Sequence, residues 1–157
     1  SAFEDEFALA NISGISPYMG AIFPNQFKNY ERFLTFKNAT DEEVDTWKRG
    51  AMWFYKKVMY RHKDSSDKRL LLKSPAHTAR IKLILEMFPN AKFIHISRNP
   101  YDIYKSTFQL HHKLLIQWCL QRPTLEHEHV AGIILNHFKE MKFEIPTTSS
   151  LLHIFFA

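Results

Sequence analysis

Residues 70–106 read LLLKSPAHTARIKLILEMFPNAKFIHISRNPYDIYKS, and two short apolar runs in this segment enclose a helical pattern. Residues 70–72 and 92–96 have the length and composition of buried strands. Between them, apolar residues recur from 81 to 88 at the spacing of one helix face. A strand, a helix and a strand within about 30 residues predict a βαβ unit with parallel strands and a right-handed crossover. Both strands would then end at the same edge of the sheet.

Each predicted strand is followed by a basic residue and a helix start. Lys73 precedes Ser74-Pro75, and Arg98 precedes Asn99-Pro100. Ser or Asn as the cap, with Pro at the first helical position, is typical of a helix N-terminus. The unpaired N–H groups of a helix start attract anions, and a neighbouring cation strengthens the attraction. Ligands bind at the carboxyl edge of open α/β sheets, and two such helix starts would lie side by side at this edge. We therefore predict a site there for a ligand with two separate anionic groups.

Ser106 extends the second of these sites. It lies eight residues after Arg98, so its hydroxyl could reach the phosphate that Arg98 would clamp. Structural alternatives stay open for all three residues. Lys73 also fits a solvated lysine at a strand end, and Arg98 also fits an ion pair with Asp102. Ser106 also fits a helix serine bonded to the preceding turn.

The rest of the chain fits a single domain. Thr40 followed by Glu43 is a capping-box pattern that predicts a long amphipathic helix ending near His62. A further helix is predicted over residues 125–142, and residues 1–40 are expected to form loops and short helices. The tail from residue 146 has no clear pattern.

Composition sets the outer limits on function. The chain has 157 residues, 45% of them hydrophobic, which suits one folded domain. Its net charge of +5 suits an anionic ligand, although a solvated basic surface explains the charge as well. No apolar run is long enough to predict a membrane span. The single cysteine, Cys119, excludes an internal disulfide and favours a reducing compartment, so a cytoplasmic location is predicted.

Three segments resemble the sulfotransferase family. Residues 70–81 are similar to the Lys-Ser-Pro or Lys-Asp-Pro segment of its bacterial-type and tyrosyl-protein branches. Residues 88–106 are similar to its signature for the 3′-phosphate of the sulfate donor, an arginine with a serine eight positions later. Residues 4–9 resemble a segment that follows the first helix in the bacterial-type branch. The resemblance spans roughly residues 3–140 and is densest from 69 to 112.

The resemblance implies a donor and its ligands. The donor is 3′-phosphoadenosine 5′-phosphosulfate, a co-substrate, with Arg98 and Ser106 on its 3′-phosphate. Lys73 would contact the transferring sulfuryl group and the bridging oxygen, where negative charge grows, and Ser74 would help to bind the donor. His77 lies close to the position of the catalytic histidine in cytosolic members, where a neutral imidazole could take a proton from an acceptor hydroxyl. A helix-capping or surface histidine is an equally good interpretation of His77.

The resemblance also implies an α/β fold like that of P-loop NTPases, a three-layer domain with a parallel central sheet. The family's loop for the 5′-phosphosulfate, of the type Arg-Ser-Gly-Thr-Thr, is missing here. No glycine lies in such a loop; the glycines are Gly14, Gly20, Gly50 and Gly132. In the family order this loop would precede residue 1, and the tail over 143–157 is atypical. We therefore expect residues 1–157 to form one incomplete sulfotransferase-like domain.

The histidines are weaker signals. His127, His129 and His137 lack the spacing of a helical zinc motif, so they are expected on a solvent-facing helix and no metal site is predicted. His111-His112 is expected at the surface or at the edge of the core. Aromatic residues 53–55 are more typical of core than of a platform for stacking bases.

Three functions remain open from the sequence. The first is an enzyme that transfers a sulfuryl group to a hydroxyl or amine of a small-molecule, carbohydrate or peptide acceptor. The second is a non-catalytic nucleotide-binding remnant of the same fold. The third and least supported is a basic module that binds nucleic acid. The sequence specifies neither the acceptor nor the oligomeric state.

Overall fold

The computed structural model describes residues 4–62, 69–96, 98–123, 126–143 and 153–156. Two 3₁₀ segments, Pro24–Gln26 and Pro75–Arg80, supplement the regular elements. The helices are α1 (Asp5–Ser13), α2 (Met19–Ile22), α3 (Phe27–Glu31), α4 (Asp41–Arg61), α5 (Ile81–Met87), α6 (Pro100–Trp118) and α7 (His127–Phe143), and the strands are β1 (Leu71–Lys73), β2 (Lys92–His95) and β3 (His153–Phe156). None of these helices is both long and apolar enough to cross a membrane.

The three strands form one sheet in which β3 lies between β1 and β2. Ile154 of β3 pairs with Lys73 on one side and with Ile94 on the other, and both pairings are antiparallel. Strands β1 and β2 therefore run in the same direction and end at the same edge, which agrees with the βαβ pattern. They are not adjacent, so the prediction of a parallel sheet is wrong for the described strands. Strand β3, from the tail, lies between β1 and β2, and its backbone groups form hydrogen bonds with those of both strands.

Helix α4 begins where the capping box predicts. Thr40 Oγ1 accepts a hydrogen bond from the Glu43 N–H at 3.3 Å, and the Glu43 carboxylate accepts one from the Thr40 N–H at 2.8 Å. These bonds satisfy N–H groups that a helix start leaves unpaired. The Thr40 N–H is also the main reason why the pKa of Glu43 is lowered.

Replacement of Thr40 with alanine is expected to lower the free energy of unfolding by about 1 kcal/mol, because the cap is lost. Urea denaturation followed by circular dichroism measures the change. Thr46→Ala, the same substitution inside α4, is the control and should cost clearly less. Equal losses in the two variants would contradict the cap's contribution.

The main core lies between α4, α1 and the sheet. Trp47, Ala51 and Tyr55 are spaced four residues apart on one face of α4 and are all buried. They pack with Leu9 of α1 and Leu72 of β1. The core interpretation of the aromatic segment holds for Tyr55 but is wrong for Trp53, which is exposed beneath the Lys57 ammonium.

The two predicted helix starts differ in the structure. At α6 the cap is confirmed, because Asn99 Oδ1 accepts a hydrogen bond from the Tyr101 N–H at 2.9 Å. After β1 the chain instead forms the 3₁₀ segment, and the buried Ser74 side chain makes no cap hydrogen bond. Helix α5 begins only at Ile81. A capped helix N-terminus, the feature that was predicted to bind an anion, is therefore found at α6 and not after Lys73.

Candidate active site

A cavity of about 1220 Å³ lies at the carboxyl edge of β1 and β2. Lys73, Arg98 and Ser106 all line it, so the structure brings these three predicted residues together. The Ser106 hydroxyl donates to the Ile103 carbonyl at 3.0 Å, which is the bond that the structural alternative describes. The serine would have to rotate that hydroxyl to bind a phosphate. Ser97, at the end of the second predicted strand, lies outside the described residues.

Glu4 is a further charged residue in this cavity. One of its carboxylate oxygens contacts the Lys73 ammonium, and the other accepts a hydrogen bond from the Tyr18 hydroxyl at 2.6 Å. Burial and the Glu4 carboxylate raise the pKa of Tyr18 well above its usual value, so the phenol stays protonated and donates. Glu4 is not among the predicted site residues. Its only signal was the resemblance of residues 4–9 to a family segment.

His77 lies behind the cavity wall. Its side chain is fully buried, and Nε2 lies 2.7 Å from the Asp5 carboxylate, which also accepts a hydrogen bond from the Tyr55 hydroxyl at 2.6 Å. Burial raises the pKa of Asp5, but the opposing effects of His77 and Tyr55 are larger in sum and leave it lowered. The surface interpretation of His77 is therefore wrong, and neither His77 nor Ser74 lines the cavity.

A second buried pair holds α1 against the 3₁₀ segment. Arg80 binds Glu6 through two nitrogens at 2.6 and 3.1 Å, and Ser16 donates to the same carboxylate at 2.7 Å. The guanidinium also lies 4.9 Å from the ring centres of Phe36 and Trp47. Because Glu6 is two residues from Glu4, this anchor sets where the Glu4 carboxylate meets Lys73.

The remainder of the cavity is mainly apolar. Helices α6 and α7 form one wall, and residues from α1 to α3 form another. The large apolar side chains include Phe7, Phe27, Leu114, Trp118, Ile133 and Phe138. The site thus has a charged end near the sheet and an apolar volume beyond it, which suits an amphiphilic molecule.

Among the described residues, three histidines line the cavity, and two of them, His111 and His137, are partly buried in its apolar wall, so the expectation that His137 faces solvent is wrong. His129 also lines the cavity but is exposed, and His127 is exposed outside the lining. Burial lowers the pKa of His111. Burial and the neighbouring His111 lower the pKa of His137 to about 4. No group of three or more histidine, cysteine or acidic side chains suited to a metal ion is found within the described ranges.

Comparison with known proteins identifies the family of this chain. The sequence profile of the sulfotransferase family matches residues 18–142, which contain Lys73, Arg98 and Ser106. This chain belongs to the sulfotransferase family. It is 42% identical over 123 residues to the protein named omega-hydroxy-beta-dihydromenaquinone-9 sulfotransferase Stf3 from Mycobacterium bovis, and equally to that from Mycobacterium tuberculosis. The alignment covers 78% of this chain but 31% of each relative. No solved structure matches the chain significantly.

Proposed function

We propose that this chain carries the 3′-phosphate-binding part of an enzyme that transfers a sulfuryl group from 3′-phosphoadenosine 5′-phosphosulfate to a hydroxyl. The observation that carries the proposal is the convergence of Lys73, Arg98 and Ser106 on one cavity, with a carboxylate against the lysine. Family membership supports the reaction class. A three-layer arrangement like that of P-loop NTPases, the 5′-phosphosulfate loop and a cytoplasmic location belong to the proposal for the whole protein.

Each charged residue has a role in the proposed reaction. Arg98 and Ser106 bind the 3′-phosphate, and the N-terminus of α6 adds its N–H groups. The acceptor oxygen attacks sulfur while the bond from sulfur to the bridging oxygen breaks, and adenosine 3′,5′-bisphosphate leaves. Lys73 stabilises the negative charge that develops on that bridging oxygen.

Glu4 is assigned as the general base that takes the proton of the acceptor hydroxyl. Its carboxylate lies on the cavity and touches Lys73, whereas the predicted base, His77, is enclosed and bound to Asp5. General bases must reach the proton that they remove, so position favours Glu4. In this proposal His77 and Ser74 support the wall that carries Lys73 and Glu4.

The acceptor is proposed to bear its hydroxyl on an elongated apolar molecule. The cavity beyond Glu4 and Lys73 is lined mainly by aliphatic and aromatic side chains, which would exclude a carbohydrate or a charged peptide. The name of the mycobacterial relatives describes a hydroxyl on a dihydromenaquinone, and it supports this choice. An amine acceptor has no support from the cavity, because a cation would compete with Lys73 for Glu4.

Calorimetric titration with adenosine 3′,5′-bisphosphate tests the donor site. Arg98→Ala is expected to weaken binding about 10- to 100-fold, because a charge-assisted contact to phosphate is lost. Arg122→Ala removes an exposed arginine that does not line the cavity, so it is the matched control and should bind normally. Equal affinity in the Arg98 and Arg122 variants would refute the assignment.

The same titration separates the alternatives. A nucleic-acid module would prefer a single-stranded oligonucleotide, with an affinity that falls steeply with salt and does not depend on Arg98. A remnant would bind the bisphosphate in an Arg98-dependent way but transfer no radiolabelled sulfate, even as part of the full-length protein.

A further inference from the structure

His111 and His137 face each other from α6 and α7 within the apolar wall. Their ring centres are 6.2 Å apart, and the Phe27 ring stacks on the His137 ring with the two centres 5.7 Å apart. Ser106 lies five residues before His111 on α6, which corresponds to about 7.5 Å along the helix axis. The histidine pair is therefore displaced from the charged end of the cavity, towards its apolar volume.

Neither imidazole is saturated by hydrogen bonds from the described part of the protein. Nε2 of His137 is buried without a hydrogen-bond partner there, and the nearest Glu31 oxygen, at 3.6 Å, is too distant for one. The His111 ring makes no hydrogen bond to a described residue. Buried polar groups in proteins are nearly always paired, so an imidazole on a cavity wall is a natural partner for a ligand atom.

The chemistry of the pair selects a neutral group. Both imidazoles are uncharged at neutral pH, so each offers one N–H donor and one nitrogen acceptor. The Glu31 carboxylate beside His137 would repel an anion. A hydroxyl or carbonyl oxygen fits these conditions, whereas a second phosphate or a carboxylate does not.

We infer that His111, backed by His137, forms a polar subsite that binds a neutral oxygen group of the acceptor, remote from the hydroxyl that receives the sulfuryl group. The inference rests on the proposed function in one respect, that an apolar acceptor fills this cavity. The subsite would select apolar acceptors that carry a second oxygen at the correct distance.

A chain-length series tests the subsite. Binding of 1-alkanols and of α,ω-diols with 6 to 16 carbons is measured by displacement of the neutral fluorophore N-phenyl-1-naphthylamine. A second hydroxyl normally weakens binding in an apolar cavity, because it loses its hydration. If the subsite exists, a diol of one chain length places its second hydroxyl at His111 and binds most favourably. The dissociation constant of the alkanol divided by that of the diol should therefore reach a maximum at that length.

Variants connect that maximum to the histidine. His111→Phe keeps an aromatic ring and should reduce the maximum about tenfold, the usual effect of one lost hydrogen bond in a dry site. His111→Asn restores a donor and an acceptor and should recover part of it. His112→Phe changes the adjacent histidine, which does not line the cavity, and should leave the ratio unchanged.

The subsite is contradicted if the wild-type ratio shows no maximum, or if the maximum persists in His111→Phe. Thermal melts of each variant show whether the fold survives, and the alkanol constants provide an internal reference for an intact cavity. Titration with adenosine 3′,5′-bisphosphate is run on the same samples. Normal bisphosphate binding without diol selection overturns the subsite alone, whereas diol selection without bisphosphate binding overturns the donor assignment alone.

Discussion

Replacement of Arg80 with leucine is expected to lower the free energy of unfolding by about 3–5 kcal/mol, the usual loss when one partner of a buried ion pair is removed. The Arg80 and Glu6 side chains are both fully enclosed. Without the guanidinium, the Glu6 carboxylate would retain one hydrogen bond from the described residues, that of the Ser16 hydroxyl, and the Phe33 carbonyl would lose a donor at 2.6 Å. A carboxylate with so little compensation is costly to bury.

The double variant Arg80→Leu/Glu6→Leu distinguishes an ionic from a steric cause. It removes both charges, so much of the lost stability should return even though the cavity shape has changed. Lys48→Leu is the comparison for an exposed pair, since Lys48 binds Glu86 at the surface and should contribute at most about 1 kcal/mol. Chemical denaturation of the wild type, Arg80→Leu, Glu6→Leu and the double variant gives the coupling energy. A double variant less stable than Arg80→Leu would contradict this explanation.

The buried ion pairs also show where sequence reasoning reached its limit. Strands β1 and β2, the Thr40 capping box and the Asn99 cap depend on residues within a few positions of each other, and the local pattern predicted all of them. Glu6 and Arg80 are 74 positions apart. Acidic and basic residues are normally exposed, so nothing in the local pattern indicated that these two would be buried together.

The site was predicted in part for the same reason. Lys73 and Arg98 could be placed at one edge because strands joined by a helix run in the same direction, and the structure keeps that geometry although β3 separates them. The pairing of β3 depends on two strands that lie about 60 to 80 residues away, so no local signal predicted it. Glu4 and His111 reach the cavity only through the packing of α1 and α6, which periodicity does not define. His77 was misplaced because it is buried against Asp5, which is 72 positions away, and no local pattern links the two residues.

Removal of the Lys73 charge should impair sulfuryl transfer far more than donor binding. In Lys73→Met, kcat/KM for the full-length protein is expected to fall about 100- to 1000-fold, the usual effect of losing one group that stabilises charge in a transition state. The bridging oxygen gains most of its negative charge only as the bond to sulfur breaks, so the ammonium acts mainly at that stage.

This difference is what identifies the role of Lys73. In the absence of acceptor, the affinity for the intact donor, 3′-phosphoadenosine 5′-phosphosulfate, should change by less than about tenfold in Lys73→Met, because its bridging oxygen has not yet gained that charge and Arg98 and Ser106 still hold the 3′-phosphate. Lys105→Met removes an exposed lysine of α6 outside the cavity lining and should leave both quantities unchanged. If the affinity for the intact donor and kcat/KM fell by the same factor, Lys73 would bind the donor uniformly and would not stabilise the transition state. Its contact with Glu4 would then be a structural ion pair, and the proton acceptor would have to be sought elsewhere in the cavity.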